Sequence, residues 1–221
     1  MALTTLLNTP DSFELIRDKL SSLLALEFAN QVRLAAAAGV DPDKYRLRVY
    51  QERTAPWQEF FEEGADTSPL VNVWWDSSTF DKSTGNVVMS QKNSVTYNID
   101  CYGYGIAADN PAGGHIVGDQ AAAEAVQRAA RMVRQVIMAA ENTYLGLRGT
   151  VWGRWIDSVQ SLQVRAEAPN VQAVVAARVR VTVEATEVSP QTATETLELM
   201  ALSVTRHPDG LVLAVANIDY T

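Results

Sequence analysis

Four glycines stand where a nucleotide enzyme would carry a phosphate-binding loop. Gly103, Gly105, Gly113 and Gly114 follow a strand-like segment and precede a long helical one. A phosphate loop needs a fixed glycine spacing, and in the P-loop also a lysine at the start of the helix. The segment matches neither the dinucleotide-binding nor the P-loop spacing, and Asp119 at the helix start would repel a phosphate. The glycines therefore predict a chain reversal, and no cofactor is expected.

Few other residues offer catalytic chemistry. His115 lies in the glycine loop, His207 lies in a turn, and Cys101 falls on the inward face of a strand, where a thiol is a small core residue. No GxSxG pattern and no metal-ligand spacing of His, Asp or Glu is present. The acidic pair Glu62–Glu63 is expected to face solvent. We predict that the chain has no catalytic residue and no metal ligand and is not an enzyme. The alternative is a hydrolase whose carboxylates lie far apart in the sequence and close together in the folded chain.

The composition argues against several further classes. The chain has 221 residues, 47% of them hydrophobic, which suffices for one large or two small domains. Its net charge of -8 disfavours a protein that grips nucleic acid through phosphates. A single cysteine excludes a disulfide framework within the chain. The sequence shows no signal-peptide pattern and no apolar run of about 20 residues, so we expect a soluble protein without a membrane partner.

Helical spacing appears first near the N-terminus. Thr9 is the predicted N-cap, Pro10 the first helical residue and Gly39 the stop. The apolar stripe of this helix is interrupted by Glu27, which predicts a kink, an exposed second half or a salt bridge to a neighbouring subunit. The stripe consists of Phe13, Ile16, Leu20, Leu23 and Leu24.

Strands follow, separated by an acid-rich insertion near residues 55–69, which we call the acidic insertion. Trp74 and its neighbour Trp75 alternate to opposite faces of one predicted strand. In the next strand Val95, Tyr97, Ile99 and Cys101 share one face, and Thr96, Asn98 and Asp100 share the other. This alternation is typical of a half-buried antiparallel strand.

A second helix is predicted over residues 119–142, with Asp119 as its N-cap. Its alanine-valine arc should lie on the sheet. The other side carries Arg128, Arg131, Arg134 and Met138, a composition typical of interfaces, so we expect it to contact a neighbouring subunit. The alternative is a solvated helix face.

A β-hairpin is predicted over residues 194–218, around a turn at residues 207–210. Val212 and Ala214 lie on one face, and the opposite face is apolar as well. We expect one face to be buried against another copy, unless the first helix covers it within the chain. Trp74 is a further interface candidate. The expected fold is a single α+β domain over residues 1–221: a mostly antiparallel sheet with two main helices packed on it and this hairpin, which extends to neighbours.

The order of elements resembles the tail terminator and related neck proteins of long-tailed bacteriophages. The likeness covers residues 10–185 and is carried by the strand ending in YNIDCYGYG, the glycine loop and the helix DQAAAEAVQRAARMVRQVI. It implies a virion protein, assembled in the host cytoplasm as a ring, commonly a hexamer, that caps the tail tube and joins it to the head connector. DNA passes through such a ring without sequence-specific binding. The acidic insertion and the hairpin depart from the family, leaving a neck or collar role open; a small-ligand-binding module is the alternative from another class.

Overall fold

The computed structural model describes residues 10–82, 90–109, 114–162, 164, 174–188, 199–205 and 212–219. These residues belong to two compact units, one within Pro10–Ser189 and one that holds the C-terminal strands. The larger unit has the predicted mixed α+β fold, with helices packed on a five-stranded sheet. None of the described helices is long and apolar enough to cross a membrane.

The elements of the larger unit follow one another in the predicted order. They are α1 (Ser12–Ala37), a 3₁₀ helix (Pro42–Tyr45), β1 (Arg48–Gln51), a second 3₁₀ helix (Pro56–Phe61), β2 (Leu70–Phe80), β3 (Ser90–Tyr104), β4 (Ala108–Asp109), β5 (His115–Ile116), α2 (Gly118–Met138), a third 3₁₀ helix (Ala140–Asn142), β6 (Val151–Leu162) and β7 (Val174–Val188). The main sheet has the order β1-β2-β3-β7-β6, in which β1 is parallel to β2 and all other neighbours are antiparallel. The short strands β4 and β5 pair separately.

Both helices pack on one face of the sheet, which we call the helix face. Alternate residues of β2, β3 and β7 point toward them, as the period-2 pattern predicts. The strand residues in this core are Val71, Val73, Val95, Tyr97, Ile99, Cys101, Val179, Val181, Val183 and Ala185, and the helices contribute Ile16, Leu20, Leu24, Phe28, Val126, Ala129, Val133 and Ile137. Cys101 is therefore a core residue, and burial raises the pKa of its thiol.

The predicted start of α1 is wrong by two residues. Asp11 is the N-cap in place of Thr9, and its amide donates to Glu14 Oε2 at 2.9 Å, so the acid three residues on satisfies a free donor of the first turn. The helix continues unbroken through Glu27, so the predicted kink is absent, and the Glu27 carboxylate accepts a 2.6 Å hydrogen bond from Gln31 one turn later. Gly39, at φ +68°, follows the helix end as predicted.

The predicted limits of α2 are also wrong. The helix begins at Gly118 after Val117, without a side-chain cap from Asp119, and it ends at Met138. Ala139 adopts an extended ψ of 139°, which stops the helix there. Arg154 of β6 then donates a 2.7 Å hydrogen bond from Nη2 to the carbonyl of Ala139. Its Nε donates a second hydrogen bond to the carbonyl of Ile137 in the last turn. A cation at this end also favours the helix dipole.

The glycine loop has a packing role that the sequence pattern did not indicate. A Cβ placed on Gly103 would lie 2.8 Å from the carbonyl oxygen of Ala122, and one on Gly105 would overlap the carbonyl oxygen of Gly118. The end of β3 therefore runs against the backbone of the first turns of α2. Glycine is required at both positions because no side chain fits between the two backbones.

The opposite side of the sheet, which we call the second face, is covered at one end by the acidic insertion. Phe60, 4% exposed, leads a small cluster of buried residues there. The cluster is completed by Leu70, Tyr102, Val174 and Ala176. The insertion is thus part of the packed structure, and its residues Pro56–Phe61 form a 3₁₀ helix.

The smaller unit contains β8 (Leu199–Thr205) and β9 (Val212–Asp219), which pair antiparallel with Leu202 opposite Ala216. The turn at residues 207–210 and the side chains of Val212 and Ala214 lie outside the described residues. The expected burial of one hairpin face against another copy therefore stays a prediction.

Candidate functional site

Two features of the larger unit could serve a function: a charged cluster on the second face and the outer side of α2. The cluster is centred on Asp100, which is 3% exposed. Arg178 donates Nε to Asp100 Oδ1 at 2.7 Å and Nη2 to Oδ2 at 2.9 Å. Trp74 Nε1 donates to the same Oδ2 at 2.9 Å, and the guanidinium of Arg178 lies 4.9 Å from the centre of the Trp74 rings. The hydrogen bonds that Arg178 donates to Asp100 raise the pKa of the Arg178 guanidinium.

A second charged group lies beside it on the same face. Asp76 accepts a 2.9 Å hydrogen bond from Asn98 Nδ2 and a 3.1 Å bond from Arg180 Nη2. Asn98 is only 2% exposed. The prediction of a half-buried β3 is therefore wrong for these residues: long neighbouring side chains cover the polar side of the strand as well.

A cavity of about 350 Å³ opens beside Asp100 and Arg178. It is also lined by Arg53, Trp74 and Tyr102. Both oxygens of Asp100 already accept hydrogen bonds from a cation and an indole, so the carboxylate is not free to remove a proton or to bind a metal. Within the described residues, no three His, Cys, Asp or Glu side chains are grouped to hold a metal ion. The cluster is best explained as a structural ion pair.

The outer side of α2, in contrast to this cluster, carries arginines that are not paired with acidic groups in the part of the chain that the structure describes. Arg131 and Arg134 are exposed, Arg128 is partly buried and Met138 is 46% exposed. None of the three arginines forms an ion pair or a hydrogen bond with a described residue. Elsewhere in the described residues, the arginines that do form an ion pair or a hydrogen bond are Arg17, Arg33, Arg46, Arg48, Arg53, Arg154, Arg178 and Arg180. The three arginines of α2 therefore place unpaired positive charge close together on one helix face of this acidic chain.

A groove runs along each side of α2. The first, between α1 and α2, has a volume of about 380 Å³ and is lined by polar groups that include Glu27, Arg128 and Arg131. The second, between α2 and β6, has a volume of about 490 Å³. We call it the edge groove because β6 is an edge strand of the sheet. Arg131 lines both grooves, and Arg134 lines the edge groove.

The structure brings together only some of the predicted interface residues. The outer side of α2 carries Arg128, Arg131, Arg134 and Met138, whereas Trp74 lies on the second face with its indole N–H bound inside the chain.

Comparison with models of known protein families and with curated proteins found no match for the chain.

Sequence reasoning missed the Asp100–Arg178 pair and the edge groove. The first depends on the register between β3 and β7, and the second depends on which strand forms the sheet edge. The one available signal was the alternation that put Asp100 and Arg178 on the polar sides of their strands.

Proposed function

We propose that this protein is a structural subunit that assembles with copies of itself into a ring, of the tail-terminator or neck type found in long-tailed bacteriophages. The observation that carries the proposal is the outer side of α2. Arg128, Arg131 and Arg134 have no partner among the described residues, although the chain carries a net charge of -8. A surface of this kind is suited to bind an acidic surface of another protein.

Copies of this chain provide such an acidic surface. Subunits with a net charge of -8 repel one another in general, so a contact that pairs local charges of opposite sign is favoured over one that does not. A basic helix side on one copy and an acidic surface elsewhere on the next form a head-to-tail contact. Repeated contacts of that type close into a ring when the rotation between neighbours allows it.

The viral part of the proposal is supported by the order of the elements. The succession of α1, β2, β3, the glycine loop, α2 and two further long strands is the order on which the resemblance to tail terminators rests. In this role the ring, commonly a hexamer, would contact the tail tube and the head connector, and DNA would pass through its channel. A neck or collar position in the virion is the alternative within the same class.

The test is the size and shape of the purified protein. We expect analytical ultracentrifugation to show a closed oligomer and electron microscopy to show rings with a central channel. Gold labelling of the protein in intact particles should mark the junction of head and tail. A monomer at every concentration, also in the presence of isolated tail tubes, would exclude the ring.

The alternative of a small-ligand-binding module would use the cavity beside Asp100. Its charged lining is already neutralised, since Arg178 pairs with Asp100 and Arg53 pairs with Glu59. An anionic ligand would compete with Asp100 and Glu59 for these arginines, and displacing Asp100, which is 3% exposed, would leave a buried charge without a partner and cost several kcal/mol. The ring is therefore the better supported function.

A further inference from the structure

We propose that residues 61–63 of one copy, Phe61-Glu62-Glu63, dock into the edge groove of the next copy. Phe61 enters the apolar part of the groove, and Glu62 and Glu63 pair with Arg131 and Arg134. We call residues 61–63 the acidic tip. The inference rests on the proposed assembly and names the surface that binds α2.

The acidic tip has the chemistry of a contact site. Phe61 ends the 3₁₀ helix of the acidic insertion and is 37% exposed. Its ring meets Trp57 and Tyr104 edge-on, with centroid distances of 6.2 Å and 5.9 Å. Glu62 and Glu63 follow it; both are exposed, and neither carboxylate is bound to a described residue. An exposed aromatic ring next to two free carboxylates is more than a solvated loop requires.

The tip is held rigidly by the residues before it. Phe60 is buried and stacks on Tyr104 with a centroid distance of 5.6 Å. Glu59 accepts hydrogen bonds from Tyr50 Oη at 2.7 Å and Arg48 Nη1 at 3.2 Å, and it also pairs with Arg53. Docking a segment that is already ordered costs little conformational entropy.

The edge groove has matching chemistry. Its floor is formed by apolar side chains, and Val159 among its lining residues is 51% exposed. The apolar lining also includes Val126, Ala130, Val175 and Ala177. Arg131 and Arg134 belong to the same lining and are exposed to solvent. An apolar pocket for one aromatic anchor with charged groups at its edge is the usual arrangement of a binding hot spot.

The two surfaces lie on different sides of the molecule. Glu59 ties the acidic insertion to edge strand β1 and Phe60 packs on the second face, whereas the edge groove lies on the helix face beside the other edge strand, β6. A contact between them therefore joins unlike surfaces of two copies. Such a contact is head-to-tail, as a ring requires.

A charge-swap experiment tests the pairing. The variants R131E/R134E and E62R/E63R should each self-associate at least about tenfold more weakly than the wild type, because each places like charges in contact. An equimolar mixture of the two should associate as the wild type does, since every contact in it again pairs opposite charges. The control variant R33E/R148E reverses two exposed arginines elsewhere and should neither weaken association nor rescue E62R/E63R.

A cross-link provides a second measurement on variants without charge reversal. E62C and R134C, mixed under oxidising conditions, should form a disulfide between copies, and E62C with R148C should not. Cys101 is buried and does not compete. If the wild type assembles but the mixture fails to recover and no E62C–R134C disulfide forms, the docking inference is wrong and the ring stands. If the wild type never associates and no disulfide forms, the ring proposal fails with it.

Discussion

Asp100 and Arg178 lie directly opposite each other on β3 and β7, and the guanidinium contacts both carboxylate oxygens. Because Asp100 is almost fully buried, removing it leaves Arg178 in a poorly solvated place without its anion. We expect Asp100→Ala to lower the free energy of unfolding by about 3 kcal/mol, measured by urea denaturation. Asp18→Ala, which removes an exposed partner of Arg17, is the control and should change it by less than about 0.5 kcal/mol. Equal effects of the two variants would show that burial adds nothing to the pair.

The backbone contact between the end of β3 and α2 predicts that a side chain added there lowers the stability of the fold. Gly105→Ala places a methyl group against the carbonyl oxygen of Gly118, which is fixed as the first residue of α2, and Gly105 itself directly follows the last residue of β3. We expect a loss of about 3 kcal/mol of unfolding free energy and a lower Tm by calorimetry. Gly149→Ala is the control: it has φ +99° but nothing within 4 Å, so only backbone strain of about 1 kcal/mol should appear. A Gly105→Ala protein as stable as the wild type would contradict the close approach.

Most of the core could be predicted from the sequence, and the candidate site only in part. Alternation in β3 predicts that Tyr97 and Ile99 are buried, because the period of a strand fixes which residues share a face. The arginines of α2 were found in the same way from helical spacing. The edge groove could not be found in this way, because it depends on β6, rather than β7, being the edge strand of the sheet. Strand order is set by pairing between residues far apart in the sequence. The partner of Asp100, 78 residues away along the chain, was hidden for the same reason.

Charge reversal on α2 should separate assembly from stability. We expect the free energy of unfolding of the R131E/R134E monomer to lie within about 0.5 kcal/mol of the wild-type value, because both arginine side chains are exposed and unpaired. Self-association, measured by sedimentation velocity, should weaken at least about tenfold. Wild-type association should also fall as salt rises, since exposed charge pairs are screened at high ionic strength. Association that is unchanged in the variant and in salt would remove α2 from the contact.

Phe61 should contribute to assembly by a different mechanism from that of the arginines. Its side chain is partly exposed in the single chain and would become buried in the edge groove of the next copy, so Phe61→Ala removes an apolar anchor without changing charge. We expect association to weaken by about 2 kcal/mol, or about thirtyfold, by sedimentation equilibrium. The weakening should persist at high salt, where the arginine contribution is screened, because burial of apolar surface does not depend on charge screening. Leu26→Ala is the control, since Leu26 is 73% exposed on α1 and lines neither groove. A Phe61→Ala protein that assembles like the Leu26→Ala control would leave the edge groove without its proposed anchor.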